Sequence, residues 1–207
     1  MTRDFMESDF ALQPTIVGFS LAKLRSLLGS NDLDTAEHLV NVLSSHDEQS
    51  DQLPATLEEA ARVLRKAISE GVPFPGLISE AEPHVMAAAV LAQCNQDLTC
   101  TDSTAWQAGA LWALSTDLGE ELEPEARQLL AYFCDGRPLF GKAIETERSY
   151  YGWLSNREVV TLHRELIALE EHVRDWEDAA TLDFLHDLIG WLNSIVEVEQ
   201  DLWFYVC

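Results

Sequence analysis

The positions of the apolar residues predict a mainly helical chain. After Ser155 they recur at alternating steps of three and four residues, the spacing that one face of a helix requires. The pattern predicts one long helix lying on the core, since it is too short for the sustained heptads of a coiled coil. The apolar positions of this helix are Val159, Leu162, Leu166, Leu169, Val173 and Trp176.

The segment from Ala179 to Val196 differs because it carries apolar residues on two stripes. A helix that is apolar over most of its circumference packs against neighbours on both sides. We therefore predict a closing helix that is buried on both sides. One stripe contains Leu182, Leu185, Ile189, Leu192 and Val196, and the other contains Phe184, Leu188, Trp191 and Ile195.

Capping residues mark the ends of further helices. Ser20 is a good N-cap for a short helix from Leu21 to Leu28, which Gly29 ends. Capping boxes, in which two residues satisfy each other's backbone N–H groups, are predicted at Thr56 with Glu59 and at Ser155 with Glu158.

Two more helices follow from apolar spacing. The first runs from Leu33 to Leu43, and the second begins at Pro124 and ends at Asp135-Gly136. The predicted inward face of the first is Leu33, Ala36, Val40 and Leu43, and that of the second is Ala126, Leu129, Leu130 and Phe133.

Strands are predicted near both ends of the chain. Gln13 to Phe19 is β-branched and bounded by Pro14 and Gly18, and the chain closes on a continuous apolar run from Leu202 to Cys207. Such a run indicates a strand buried on both faces, so Thr15–Phe19 should pair with Trp203–Val206. The prediction is an α+β fold, predominantly helical, with several helices around a small sheet that joins the N- and C-terminal strands. We expect a single domain over 1–207, with a flexible N-terminus at about 1–12 and a polar loop at about 44–55.

The segment from Arg137 to Gly152 has no clear period. A connection of that length is uncommon inside a compact domain, so the segment either contains a short strand or is a functional loop. Basic residues alternate there with aromatic ones, an arrangement that binds phosphates or nucleic acids. The alternative is that the aromatic side chains enter the core and the basic ones meet neighbouring acids. The candidate ligand-binding residues are Arg137, Arg148, Tyr150, Tyr151 and Trp153.

The charge balance narrows the classes of partner. The chain has 36 acidic and 13 basic residues, a formal net charge of −23. Phosphate backbones and anionic lipids are repelled by such a surface, so we predict neither nucleic-acid nor membrane binding. A basic partner protein is favoured instead. Eight carboxylates and no Lys or Arg lie between Arg25 and Arg62, and eight more follow from Asp175 onwards. The alternative is that these acidic runs bind no partner and form solvated faces of the protein.

The cysteines and the N-terminal residues predict a cytoplasmic protein. Cys94, Cys100, Cys134 and Cys207 form no C-x-x-C pair, so we expect four free thiols and no bound transition metal. Residues 1–9 lack the apolar region of a signal peptide, and no apolar run is long enough to span a bilayer. No cofactor motif is present.

Two arrangements resemble catalytic or metal sites. Ser20 lies at a strand-to-helix turn like a nucleophile elbow, but the second glycine of that motif is missing, and the N-cap role is simpler. Asp183 and His186 lie one turn apart, as in half of a di-iron site, beside Asp187. The second half is absent, because the residues three positions before His163 and His172 are Val160 and Leu169 rather than carboxylates. A structural or solvated His186 is therefore favoured.

Three segments resemble the YfbM-like bacterial domains of unknown function. Thr15–Ser30 is similar to the opening of those domains, where a strand leads into a short helix that ends in Gly-Ser. Tyr151–Ser155, followed by Glu158 and a long helix, is similar to their Gly-aromatic-Leu-Ser signature, and Leu202–Val206 resembles their closing strand. The resemblance implies an α+β fold, helices around a small sheet, and carries no activity or functional residues.

Two functional hypotheses follow. The first is a non-enzymatic protein-interaction module, inhibitor- or immunity-like, that binds a basic partner through its acidic surface. The second is a small hydrolase or ligand-binding enzyme with its site in the 137–153 loop. A concave pocket with converging polar groups would favour the enzyme, and a flat or convex acidic patch would favour the interaction module. The sequence does not determine the oligomeric state.

Overall fold

The computed structural model describes residues 14–46, 61–62, 64–66, 68–70, 100–101, 111, 113–137, 150–173 and 178–206. The strands are β1 (Pro14–Phe19), β2 (Cys100–Thr101), β3 (Tyr150–Leu154) and β4 (Asp201–Val206). The helices are α1 (Leu21–Leu27), α2 (Leu33–His46), α3 (Pro124–Asp135), α4 (Asn156–His172) and α5 (Ala179–Glu197). The described residues of 61–70 are also helical. A π-helical turn (Leu114–Leu118) and a 3-10 turn (Gly119–Glu121) precede α3.

The sheet joins the two ends of the described chain. Its strand order is β2-β1-β4-β3, and every neighbouring pair is antiparallel. Thr15 lies opposite Tyr205, and Val17 lies opposite Trp203. The predicted pairing of the N- and C-terminal strands is therefore confirmed, as is the α+β, predominantly helical fold.

Strand β4 is covered on both faces. Leu202, Trp203 and Phe204 are consecutive, so their side chains alternate between the two faces of the sheet, and all three are buried. The Phe204 ring stacks on Phe133 of α3, with ring centroids 4.5 Å apart. This confirms the prediction of a two-sided apolar strand, whose position between β1 and β3 supplies hydrogen-bonding partners on both edges.

Helices α3, α4 and α5 supply most of the core that covers the sheet. The predicted inward face of α3 is confirmed, and Gly136, with φ 76°, ends that helix in a conformation that glycine adopts readily. The predicted stripe of α4 is confirmed for Val159, Leu162, Leu166, Leu169 and Val173. Trp176 lies outside the described residues.

Helix α5 packs against α4, and both of its predicted stripes contribute to the core. Its fully covered residues come from both stripes, so the prediction of burial on two sides is confirmed at these positions. They are Phe184, Leu185, Leu188, Leu192 and Ile195. The remaining members of the stripes are half-buried at the margin of the core: Leu182, Ile189, Trp191 and Val196.

Side-chain caps begin several helices as predicted. The Ser20 hydroxyl accepts a hydrogen bond from the backbone N–H of Lys23, at 3.2 Å. The Glu158 carboxylate accepts from the backbone N–H of Ser155, at 2.8 Å, which confirms that capping box. Thr56 and Glu59, the other predicted capping box, lie outside the described residues.

Helix α2 differs from the prediction at both ends. Leu33 is 58% exposed, because it is the first helical residue and lies beside the exposed Asp32, which accepts a hydrogen bond from the Thr35 backbone N–H. Leu39, which the predicted face omitted, is buried instead. The helix also continues to His46, so residues 44–46 do not belong to the predicted polar loop. Polar residues determine a helix end only weakly.

The unpatterned segment from Arg137 to Gly152 ends in strand β3. This strand begins at Tyr150, so one of the two alternatives predicted for the segment, a hidden strand, is confirmed. Among the described residues, no helix has both the length and the apolar content needed to cross a bilayer.

Candidate interaction surface

Arg137, the first of the predicted ligand-binding residues, directly follows the glycine that ends α3. Its Nη1 lies 3.0 Å from both carboxylate oxygens of Glu158 and 3.3 Å from the carbonyl oxygen of Trp153. Both side chains of the ion pair are largely covered, with 22% and 23% of their surfaces exposed. The guanidinium is thereby engaged within the protein.

Two aromatic rings also make cation–π contacts with the Arg137 guanidinium. Its Cζ lies 4.0 Å from the ring centroid of Trp153 and 4.6 Å from that of Tyr132. Contacts of this kind attract a cation to the negative face of the ring. Arg137 also donates to the backbone carbonyl of Trp153 in β3, the last strand in the order of the described sheet.

The electrostatics of Glu158 reflect this pairing. Burial would raise the pKa of Glu158, but hydrogen bonds from Arg137 and Ser155 outweigh burial and hold the pKa below its ordinary value. The same carboxylate caps α4, so Glu158 connects the N-terminus of that helix to the end of α3. At neutral pH the cluster is an ion pair with a structural role.

The structure describes three of the four other predicted ligand-binding residues. Trp153 is half-buried against Arg137. Tyr150 and Tyr151 pair with β4 through the strand backbone, and Arg148 lies outside the described residues. For Arg137 the structure has the arrangement of the second alternative, in which the basic residue meets an acid. The Trp153 ring is stacked on that guanidinium. A ligand-binding role for the five residues stays a prediction.

His186 and Asp183 lie on the exposed side of α5, as the sequence indicated. The partner of His186, however, is on another helix: His186 Nδ1 lies 3.0 Å from Glu170 Oε1 of α4. Glu170 chiefly, with Asp187 and Asp183, raises the pKa of His186. Glu170 was not among the predicted site residues, although two long helices joined by a short connection indicate an antiparallel pair whose ends meet.

Many described basic residues are matched by nearby acceptors of the same chain. Arg65 lies 2.7 Å from Glu37, and Lys66 lies 3.8 Å from Glu70. Arg127 donates instead to the backbone carbonyls of Gly119 and Glu120, where it satisfies the end of the 3-10 turn. These contacts occupy the cations, while acids outnumber them throughout the chain.

Exposed carboxylates concentrate in two places. We call the first the acidic turn; it precedes and opens α3 and comprises Asp117, Glu120, Glu121, Glu123 and Glu125, all exposed. We call the second the hairpin patch; it lies where the end of α4 meets the start of α5 and comprises the exposed Glu171, Asp183 and Asp187 together with Glu170, which is half-buried and pairs with His186. The N-terminus of α3 accounts for some of the carboxylates in the acidic turn, because negative charge is favourable at that end of a helix. The hairpin patch has no such explanation for Glu170 and Glu171, which end α4.

Groups that would do chemistry are not assembled in the described part of the chain. Ser20 acts as an N-cap. Burial raises the pKa of Cys134 to about 11, so this thiol stays protonated at neutral pH and is a poor nucleophile. No set of three or more His, Cys, Asp or Glu side chains among the described residues is placed to hold a metal ion.

Comparisons with protein families, with curated proteins and with solved structures find no match to this chain. The similarity to the YfbM-like domains therefore stays a prediction from the residues that suggested it.

Proposed function

We propose that this protein is a non-enzymatic interaction module, inhibitor- or immunity-like, that binds a basic partner protein. The observation that supports the proposal is the division of charge. Described cations such as Arg65, Arg127 and Arg137 are held by acceptors within the protein, whereas the acidic turn and the hairpin patch face solvent. A surface of this kind attracts a basic protein over a long range and accelerates its association.

Further parts of the proposal rest on separate observations. The net negative charge would repel nucleic acid and anionic membranes, which favours a protein partner. A cytoplasmic location is proposed from the four cysteines, whose irregular spacing does not suit a disulfide framework. Membership of the YfbM-like family is proposed on the N-terminal strand and helix, the segment Tyr151–Ser155 and the closing strand. The enzyme alternative has less support, because Nη1 of Arg137, the first residue of its candidate site, is engaged by Glu158 and by the carbonyl of Trp153.

The test is binding to a basic protein from the native organism under controlled salt. The purified chain is immobilised, a basic protein that it retains is identified, and the affinity of the purified pair is measured between about 0.02 and 0.3 M NaCl, a range over which the Debye length shortens several-fold. We expect saturable binding that weakens with salt, together with much weaker binding to unrelated basic proteins of similar size and charge. Equal binding to those unrelated proteins would mean non-specific ion exchange and would refute the proposal.

A further inference from the structure

Helix α4 carries two apolar residues that its core stripe does not use. Val160 and Ile167 are 42% and 39% exposed, although the core-facing residues beside them, Val159 and Leu166, are buried. They are seven positions apart, so they lie on the same side of the helix about two turns from each other. His163 lies between them on that side and is half-buried, which lowers its pKa.

The neighbouring helix continues this side of α4. Because His186 contacts Glu170, the flank of α5 that carries His186 faces α4. Ile189 and Asn193 lie three and seven positions further along α5, and thus on the same flank. Ile189 is half-buried at the margin of the core, and a Cβ added to the adjacent Gly190 would meet no heavy atom within 4 Å. We call the surface formed by Val160, His163, Ile167 and Ile189 the apolar strip.

Carboxylates lie at both ends of the apolar strip. The hairpin patch lies at the end where α4 finishes and α5 starts. At the other end, Glu197 near the end of α5 is exposed and accepts a hydrogen bond from Asn193. Arg157 and Arg164 lie on the same side of α4, because they are three positions before and four positions after Val160, and both are exposed. Glu165 lies 3.0 Å from Arg164 and offsets its charge. The surface therefore combines an apolar centre with a predominantly acidic border.

We propose that the apolar strip is the docking site for a basic amphipathic helix of the partner protein. The inference rests on the proposed function and specifies its site. A helix whose apolar residues are two turns apart matches the spacing of Val160 and Ile167, and Lys or Arg residues flanking its apolar face would meet the hairpin patch and Glu197. Helices bind in this way by laying an apolar face into a shallow groove. Charge complementarity selects a basic helix over a neutral or acidic one.

A pair of synthetic peptides provides the probe. One is a helix with leucines at positions i, i+3 and i+7 and lysines on its other faces, and the other has the same composition in scrambled order. Fluorescence anisotropy at about 0.15 M NaCl, where longer-range attraction is screened, measures their affinities for the full chain. We expect the amphipathic peptide to bind at least about tenfold more tightly than the scrambled one, because only it presents a continuous apolar face. Equal affinities would overturn the proposal.

Two double variants locate the contact. Val160→Gln with Ile167→Gln removes the exposed apolar groups of the strip and should weaken binding of the amphipathic peptide by about tenfold, given the apolar area lost. Leu33→Gln with Val198→Gln changes two apolar residues that are more exposed, at 58% and 45%, but lie outside the apolar strip, and should leave the affinity unchanged. Thermal melts of both variants establish that they fold. Equal losses in the two variants would show that the strip is not the contact.

Two charge-matched triple variants examine the acidic border. Glu171→Gln, Asp183→Asn and Asp187→Asn neutralise three of the four acids of the hairpin patch and leave Glu170 paired with His186. Asp117→Asn, Glu120→Gln and Glu121→Gln neutralise an equal number of acids in the acidic turn. The hairpin variant should lose more affinity for the amphipathic peptide. Equal losses would mean that only the overall charge matters, and would refute this site.

The same measurements separate failure of this inference from failure of the proposed function. Strip variants that keep full affinity for the identified basic protein would place its contact elsewhere and leave the proposed function intact. A chain that binds no basic protein selectively would fail both. Sedimentation of the peptide-free chain detects a further outcome: a dimer that Val160→Gln with Ile167→Gln dissociates would mean that a second copy covers the strip, and would overturn the proposal.

Discussion

Asp201 accepts a hydrogen bond from the backbone N–H of Leu21 at 2.7 Å, although 180 positions separate the two residues in the chain. The other oxygen of this carboxylate accepts from the backbone N–H of Asn156, at 2.8 Å. Leu21 and Asn156 are the first residues of α1 and α4. One carboxylate therefore satisfies the N-termini of two helices, where negative charge is favourable. Because Asp201 begins β4, it also ties both helices to the sheet.

Replacement of Asp201 by Ala should lower the free energy of unfolding by about 2 kcal/mol, since each lost helix cap contributes about 1 kcal/mol. Asp201→Asn should lose less, because its one side-chain oxygen still serves one of the two helices. Asp187→Ala removes the same charge from an exposed position of α5 and should change stability little. Urea unfolding measures all three, and equal effects of Asp201→Ala and Asp187→Ala would contradict the shared-cap interpretation.

Loss of the Arg137–Glu158 ion pair should destabilise the protein in a way that depends on pH. Glu158→Gln should lower the unfolding free energy at pH 7 by about 2 kcal/mol, a typical contribution of hydrogen bonds to charged groups. Because the folded pKa of Glu158 is depressed, this stabilisation is present above the ordinary pKa of 4.5 and is lost as the pH falls through the folded pKa. The wild type and Glu158→Gln should therefore converge in stability below about pH 4.5. Unfolding curves across pH would refute this if the difference persisted at low pH.

The pKa values of His163 and His186, on α4 and α5, should be shifted in opposite directions. Glu170 raises the pKa of His186 above its ordinary value of 6.5, whereas burial lowers that of His163. NMR titration of the ring protons should resolve the two, and Glu170→Gln should lower the pKa of His186 without changing that of His163. The stabilisation from His186 is present below 6.5 and is lost as the pH rises through the folded pKa. It should be small, since His186 is 78% exposed. A His186 pKa unaffected by Glu170→Gln would contradict the contact.

Deletion of residues 202–207 should unfold the protein rather than shorten it. The deletion removes most of β4, which lies between β1 and β3, and with it three buried side chains of the core. The single variant Phe204→Ala provides a graded comparison and should cost about 3–5 kcal/mol, as expected for a buried aromatic residue. Near-ultraviolet circular dichroism and thermal melting report the outcome. A truncated chain that melts cooperatively would show that the sheet does not need β4.

Periodicity and capping residues predicted two kinds of element. The first are helices whose ends and faces are set by residues close in the chain, and the second are strands that are apolar on both faces. The α3 face belongs to the first kind and the β1–β4 pairing to the second, because a strand that is apolar on both faces needs neighbours on both edges. No sequence pattern predicts which side chains far apart in the chain will contact each other. Arg137 and Glu158 are 21 positions apart, and their meeting depends on how α3 ends relative to β3. Val160 and Ile167 did have a signal, since they are apolar positions outside the core stripe of α4.

The net charge of −23 should make stability depend on salt. Acids of the acidic turn lie close together in the chain and repel one another in the folded state, and screening weakens that repulsion. The Debye length shortens from about 30 Å at 0.01 M salt to about 8 Å at 0.15 M, so the melting temperature should rise over this range.

The triple variant Asp117→Asn, Glu120→Gln and Glu121→Gln should start from a higher melting temperature at low salt and gain less from added NaCl, because it has three fewer charges to screen. Scanning calorimetry at several salt concentrations measures both effects. A melting temperature that fell with salt would mean that attractive pairs such as Arg137–Glu158 outweigh the repulsion, since salt weakens attraction as well. Salt stabilisation requires only the charge. Selective binding to a basic partner is the separate property that the proposed function requires.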